Sequence, residues 1–246
     1  MKKTTSRLSL FVLIFFSSVK LFAQSYYEDS KKTTTKKYYV SFSYGVGSAR
    51  WNSQFYDAPL YNLDGSVMKY GNLKLQATNP MYKYDFSVCA PVGKVRIGAG
   101  VRFEKFSMDK LSLISSDSSG KSIPNNYLLF TENFWFNEIF ATLQVPFSFC
   151  AGKPYSLEYD MNAGFYGYNG IRHLNFFGDD QLASTYHASA GFLFAYEVIE
   201  NIQVFIDPEF EYKYFHNNKN ESPSVIIHNI YSGIISVGIR GDISKL

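Results

Sequence analysis

The 246-residue sequence predicts an all-β fold, an eight-stranded antiparallel up-and-down transmembrane β-barrel with short periplasmic turns and long outer loops. Three observations point there. Eight segments alternate apolar and polar residues with the period of a two-faced strand. The connections between them alternate long and short along the chain, as those at the two ends of a membrane barrel do. One face of all eight segments carries no Asp, Glu, Lys or Arg.

The chain opens MKKTTSRLSLFVLIFFSSVKLFA over residues 1–23. Lys2, Lys3 and Arg7 precede an apolar core from Leu8 to Val19, too short to span a bilayer, and the expected reading is a signal peptide cut after Ala23. No Cys follows the cut, which speaks against a lipid-anchored protein. The formal charge of +3, less the four basic residues of this segment, leaves −1 for the exported chain. The basicity belongs to the export signal, so no nucleic-acid partner is expected. Residues 24–37 then form a polar periplasmic tail containing KKTTTKK, and 38–246 form the barrel domain.

The expected strands run over 38–47, 81–92, 94–106, 133–148, 154–168, 182–198, 202–215 and 228–243. Short turns follow the second, fourth and sixth at PVGK, CAGK and VIEN, whereas long connections rich in Gly, Asn, Ser and Asp follow the first, third, fifth and seventh. An even strand number puts both ends of the barrel on the periplasmic side. Cys89 and Cys150 then fall near that side on strands that are not neighbours, and no bridge is expected between them. Pro208 stands mid-strand, where a closed barrel has no edge to hide a missing N–H, and predicts a bulge in IDPEF.

The two faces differ sharply. In the stretch YSLEYDMNAGFYGY at 155–168, Tyr155, Leu157, Tyr159, Met161, Ala163 and Phe165 share one face. Corresponding rows elsewhere include Phe42, Phe86, Val101, Ile139, Phe194, Ile206 and Val237. Aromatic residues gather towards both ends of these rows with aliphatic residues between, as girdles at two membrane surfaces require. The aromatic set is too bulky for the inside of an eight-stranded barrel, whereas the opposite set is thinned by Gly98, Gly100, Gly164, Gly191 and Gly238. The apolar face therefore belongs in lipid.

The lumen then receives the charges. A network is expected among Asp85, Arg96, Arg102, Glu104, Glu158, Asp160, Asp207, Glu209, Glu211, Lys213 and Arg240, with Lys83, Glu138, Glu197 and Asp242 on the same face. Buried charges must be paired or hydrogen-bonded, so Arg96, Arg102, Lys213 and Arg240 are each expected to meet several carboxylates. The outer loop at 48–80 offers Trp51, Phe55, Tyr56, Tyr61 and Tyr70 as candidate contacts for a partner, or folds as an outer hairpin around VMKYGNLKLQA. Of the histidines, His187 points inward by parity, His173 and His216 fall in outer loops and His228 at a loop's end. None joins a Ser–His–acid set on the lipid face, and HExxH, CxxC and Gly-rich phosphate loops are missing from the sequence. No catalytic residue, metal or cofactor is therefore assigned.

The stretches LQVPFSFCAGKPYSLEYDMNAGFYGY at 143–168 and HASAGFLFAYEVIENIQVFIDPEFEYKY at 187–214 resemble the small PorT-like outer-membrane β-barrel proteins of Bacteroidota. The resemblance covers 38–246 and implies a barrel without established catalytic residues; some relatives serve type IX protein secretion. The expectation is a non-enzymatic protein of the cell outer membrane with a structural or interaction role, in contact with outer-membrane lipid and with other envelope proteins as candidate partners. Two alternatives stand beside it: an accessory subunit of a secretion or assembly machine, and a lipid-modifying enzyme.

Overall fold

The computed structural model describes residues 37–244 apart from 62–66, 109–110, 117–121, 124–126, 129–131, 152, 168–183 and 219–224. The expected signal peptide at 1–23 and nearly all of the tail at 24–37 lie outside the described residues.

Eight long strands form the barrel: β1 (Tyr39–Tyr61), β2 (Val67–Val92), β3 (Val95–Met108), β7 (Glu132–Pro146), β8 (Tyr155–Gly167), β9 (Ser184–Ile199), β10 (Ile202–Asn218) and β11 (Val225–Asp242). Three short strands, β4 (Leu111–Ser116), β5 (Ser122–Ile123) and β6 (Tyr127–Leu128), lie between β3 and β7. Each long strand pairs antiparallel with the next in sequence, and β1 pairs with β11 from Tyr39↔Asp242 to Tyr56↔Val225. That last seam closes the sheet, so each of the eight long strands has two neighbours and the barrel itself has no edge.

Alternation decides the faces. Phe42, Phe86, Val101, Ile139, Phe165, Phe194, Ile206 and Val237 all point outward and are exposed. Tyr212 packs on Tyr231 and Tyr186 on Tyr214 towards the outer end, with ring centroids 5.1 and 4.9 Å apart, and Tyr44 packs on Tyr84 at 5.0 Å lower on the barrel. Tyr159 and Phe192 make a similar pair, 5.4 Å apart, towards the periplasmic end. A closed barrel with an apolar band outside, aromatic rims and a polar filling is the surface of an outer-membrane protein.

The periplasmic turns explain themselves chemically. β2 passes to β3 through Gly93 at φ +62° and β9 to β10 through Asn201 at φ +68°. Gly and Asn adopt this left-handed conformation most readily, and two-residue hairpins require it. The longer turn after β7 is a single 3₁₀ turn, Ser148–Cys150, which places Cys150 in a buried position; Cys89 is buried as well, and both thiols are free.

Two expectations are corrected. The region 48–80 is mostly strand, because β1 continues to Tyr61 and β2 begins at Val67, with register shifts between Phe55 and Ala58 and between Leu60 and Tyr61. β4 adds to the outer part of β2 from Asn72↔Ser116 to Gln76↔Ser112, and β5 and β6 pair with β4. Backbone pairing here continues past the apolar band. The second correction is Pro208, which makes no bulge. Pairing with β11 runs unbroken through Pro208↔Ile235. Pairing with β9 resumes from Ile206↔Phe194 to Glu209↔Gly191 in the same register, omitting two residues. The missing N–H thus costs a local gap on the β9 side without an extra residue. Gly191 makes this possible, since a Cβ there would sit 2.5 Å from the Pro208 carbonyl oxygen and 2.9 Å from Asp207 Oδ1.

Candidate functional site

The inward faces of the barrel strands form one buried polar interior. β2 contributes Lys83 and Asp85; β3 contributes Arg96, Arg102 and Glu104; β7 contributes Glu138. Glu158 and Asp160 come from β8 and His187 from β9. Asp207, Glu209, Glu211 and Lys213 follow one another at two-residue spacing on β10, and Arg240 comes from β11. Arg102, Glu104, Glu158, Glu211 and Lys213 are completely shielded, at 0% exposure, so their charges have only one another for solvation.

Arg102 is the centre of the outer half. Its Nε and Nη2 donate to Asp85 Oδ1 and Oδ2 at 2.8 and 2.9 Å, a bidentate pair, while Nη1 donates to Glu211 Oε1 at 2.6 Å. Glu209 and Glu104 lie 3.7 and 3.9 Å from the same guanidinium. Lys213 Nζ donates to Glu104 Oε1 at 2.8 Å and also pairs with Glu211. Lys83 pairs with Asp85 at 3.1 Å and with Glu209. His187 presents Nδ1 to Glu138 and holds Nε2 within 2.9 Å of both Glu211 and Arg102.

The periplasmic half is arranged differently. Arg96 and Arg240 both pair with Glu158, and among the described residues that is their one carboxylate. The expectation of several carboxylates for each is therefore corrected: at this level the facing positions are Tyr39, Ser156 and Gln203. The Tyr39 ring lies 4.8 Å from Arg96 and 4.5 Å from Arg240, in cation–π range of both. Arg240 also donates to Gln203 Oε1 at 2.6 Å and to Ser156 Oγ at 2.8 Å. Between the two halves, Asp160 is held by neutral groups, accepting from Thr142 Oγ1 at 3.2 Å and Asn162 Nδ2 at 2.8 Å. Asp207 makes no ion pair among the described residues, and its Oδ1 is buried without a hydrogen-bond donor.

Trp51 closes the outer end of this interior. It is buried in β1, its ring 6.3 Å from Phe106 and 6.2 Å from Phe136, and its indole N–H donates to His228 Nδ1 at 3.2 Å. Ser53 Oγ meets the same nitrogen at 2.6 Å. The candidate loop contacts are corrected accordingly. Trp51, Phe55, Tyr56 and Tyr61 belong to β1 and Tyr70 to β2. Trp51 faces the lumen, because the inward parity of Tyr39 and Ser43 continues up the strand. Tyr56 is exposed and donates to Gln54 Oε1 at 2.9 Å; for Phe55, Tyr61 and Tyr70 only the backbone placement is described. His216 is a residue of β10 rather than of a loop, His228 lies in β11 as expected, His187 faces inward, and His173 lies outside the described residues. The interior places of His228 and Trp51 were missed by the sequence reading; the parity of their strands is the signal that could have found them.

Chemically the interior is a solvent-excluded set of ion pairs. The grouping of Glu138, His187 and Glu211 is the one set of potential metal-ligating side chains among the described residues, with ligand atoms within 4.8 Å of one another. Arg102 already supplies a fixed positive charge to Glu211 there, which opposes entry of a cation. The Ser53–His228 pair is buried inside the barrel, away from the lipid face.

No protein-family model matches the chain. No curated protein matches it either. Among solved structures, Neisserial surface protein A is similar at 14% identity, with 83% of this chain and 96% of that chain covered and a TM-score of 0.43. The outer membrane protease OmpT from Escherichia coli is similar at 10% identity, covering 87% of this chain and 100% of that one, with a TM-score of 0.40. The outer membrane protein OprG from Pseudomonas aeruginosa is similar at 10% identity, covering 82% and 94%, with a TM-score of 0.35.

Proposed function

We propose that this protein is a non-enzymatic β-barrel with a structural or interaction role in the cell envelope, exported by residues 1–23 and related to the PorT-like barrels of Bacteroidota. The filled lumen carries this reading. Arg96, Arg240 and Tyr39 occupy the periplasmic end, the Arg102 cluster the middle and Trp51, Phe106 and Phe136 the outer end. Such a filling gives a rigid scaffold and leaves no room for a substrate beside the buried histidines. The β1–β2 hairpin supports a second reading. Its paired backbone runs outward past the aromatic rim to Tyr61↔Val67, offering an ordered surface to a partner such as the other subunits of a secretion or assembly machine.

One experiment separates the two. The tagged protein is drawn from its own outer membrane in mild detergent and sized by native mass. The structural reading expects a monomer that keeps anomalous mobility on unheated gels. A discrete complex of fixed composition overturns it in favour of the accessory-subunit reading.

A further inference from the structure

The lipid-facing surface of the barrel is recessed beside the 3₁₀ turn Ser148–Cys150. There an open groove of about 520 Å³ is bounded by the turn and by β8, β9 and β10. Its floor is two cross-strand rows. Tyr155 pairs with Tyr196, which pairs with Val204, and Leu157 pairs with Phe194, which pairs with Ile206. Phe149 supplies the wall from the turn. The volume lies within the roughly 300–1,000 Å³ range of small-molecule sites, and the side chains that face it outward are hydrocarbon or aromatic.

A cation stands at the mouth. Lys153 follows the turn and is exposed, with its ammonium 5.2 Å from the centre of the Tyr155 ring. The backbone fixes it in place: Lys153 N–H donates to Cys150 O at 3.1 Å, and Glu197 N–H on β9 donates to Pro154 O at 2.7 Å. Lys153 makes no ion pair among the described residues. Glu197, whose N–H meets the Pro154 carbonyl, has its carboxylate 4.0 Å from Lys37 and accepting from the Asn201 N–H at 3.2 Å. The Tyr155 hydroxyl accepts from Lys153 and raises its pKa, so the ammonium keeps its charge.

We propose that this groove holds one phospholipid of the periplasmic-side leaflet, with an acyl chain over Leu157, Phe194 and Ile206 and its phosphate on Lys153. The arrangement is what such a lipid requires. The groove lies on the membrane face, so hydrocarbon rather than water or protein is its neighbour. The positive charge sits at the end of the groove where the short turns emerge, the level of the headgroups. Aromatic Tyr155 and Tyr196 stand between the two, at the interface depth that tyrosine prefers. The occupant is an anionic phospholipid in preference to a neutral lipid, because Lys153 has its charge to offer.

Native mass spectrometry of the intact folded barrel tests this, with phosphatidylglycerol or diacylglycerol added in mild detergent. The wild type is expected to retain one phosphatidylglycerol and to discriminate against diacylglycerol. Lys153→Glu, an exposed change in a turn, is expected to reduce retention by about threefold to fivefold, the range of one exposed ion pair. Leu157→Trp, which fills the groove, is expected to abolish it, whereas Val88→Trp, outward on β2 across the barrel, leaves it unchanged. Gel mobility before heating verifies that each variant is folded. Equal retention in wild type and Lys153→Glu overturns the headgroup assignment. Equal retention in Leu157→Trp and Val88→Trp, or retention of inorganic phosphate alone, overturns the groove.

Discussion

Lys213 on β10 donates to Glu104 Oε1 on β3 at 2.8 Å across the lumen, and neither side chain has any exposure. Removing one partner of such a pair strands the other in a low-dielectric interior. Lys213→Met leaves Glu104 and Glu211 without their shared ammonium and is expected to destabilise the barrel by about 3–5 kcal/mol. Lys213→Met combined with Glu104→Gln is expected to recover part of that loss. Urea unfolding in lipid vesicles, followed by tryptophan emission, measures both.

Arg102 is the one residue in the lumen whose donors fit Asp85 as a fork while a third reaches Glu211. A lysine can serve only as a point charge there. Arg102→Lys is therefore expected to cost about 2–3 kcal/mol despite keeping its charge, on the scale of lost hydrogen bonds to charged groups. The same unfolding midpoints report it, with Arg50→Lys, on the exposed side of β1, as the neutral comparison.

Val237 lies mid-strand on the lipid face, between Tyr44 and Ile206 in register. Val237→Arg places a charge near the bilayer centre and is expected to cost about 2–4 kcal/mol. Lys105→Arg, at the outer aromatic rim over Trp135, is expected to cost close to nothing. A folding titration into vesicles separates the two, and similar losses at both sites would contradict the membrane placement.

The gap beside Pro208 is a reversible defect. Pro208→Val restores an N–H opposite β9 at a position whose side chain faces lipid. A stabilisation of about 0.5–1.5 kcal/mol is expected, the net worth of one hydrogen bond. Unfolding midpoints of the variant and wild type decide it.

A filled lumen carries no current. The protein in a planar bilayer is expected to show no steady conductance, because Trp51, Arg102 and Tyr39 stand in succession along the interior. Sustained single-channel steps would sink that expectation.

The strands inside the apolar band were legible because lipid on one face and packed polar groups on the other impose an alternation that the sequence must obey. Beyond the band that constraint lapses. Residues such as Asn52, Gln54, Gln76 and Thr78 place polar groups on the outer face too, so the pairing that extends β1 and β2 left no periodic trace. Trp51 was legible by parity yet was grouped with the loop, because bulk and hydrophobicity outweighed its register. Parity also put Arg96 and Arg240 inside, but it could not show that they face Tyr39 and share Glu158. That depends on the stagger of four strands distant in sequence. Pro208 was correctly seen as an obstacle; a two-residue gap against Gly191 absorbs it where a bulge was expected.

The separations along the chain give the seam between β1 and β11 a further meaning. Arg102 and Glu211 are 109 residues apart, Lys213 and Glu104 likewise, and Arg240 and Glu158 are 82 apart. A chain that has laid down strands in order but has not yet joined its two ends holds β3 and β10 four strands apart, and β8 and β11 three apart, in an open sheet. Meeting them carries the loop-closure cost of a long chain segment, so it comes late and all at once. The ion pairs of the lumen thus act as a latch on completion: a half-built sheet has little reason to stay in the membrane, and a finished one has little way out of it.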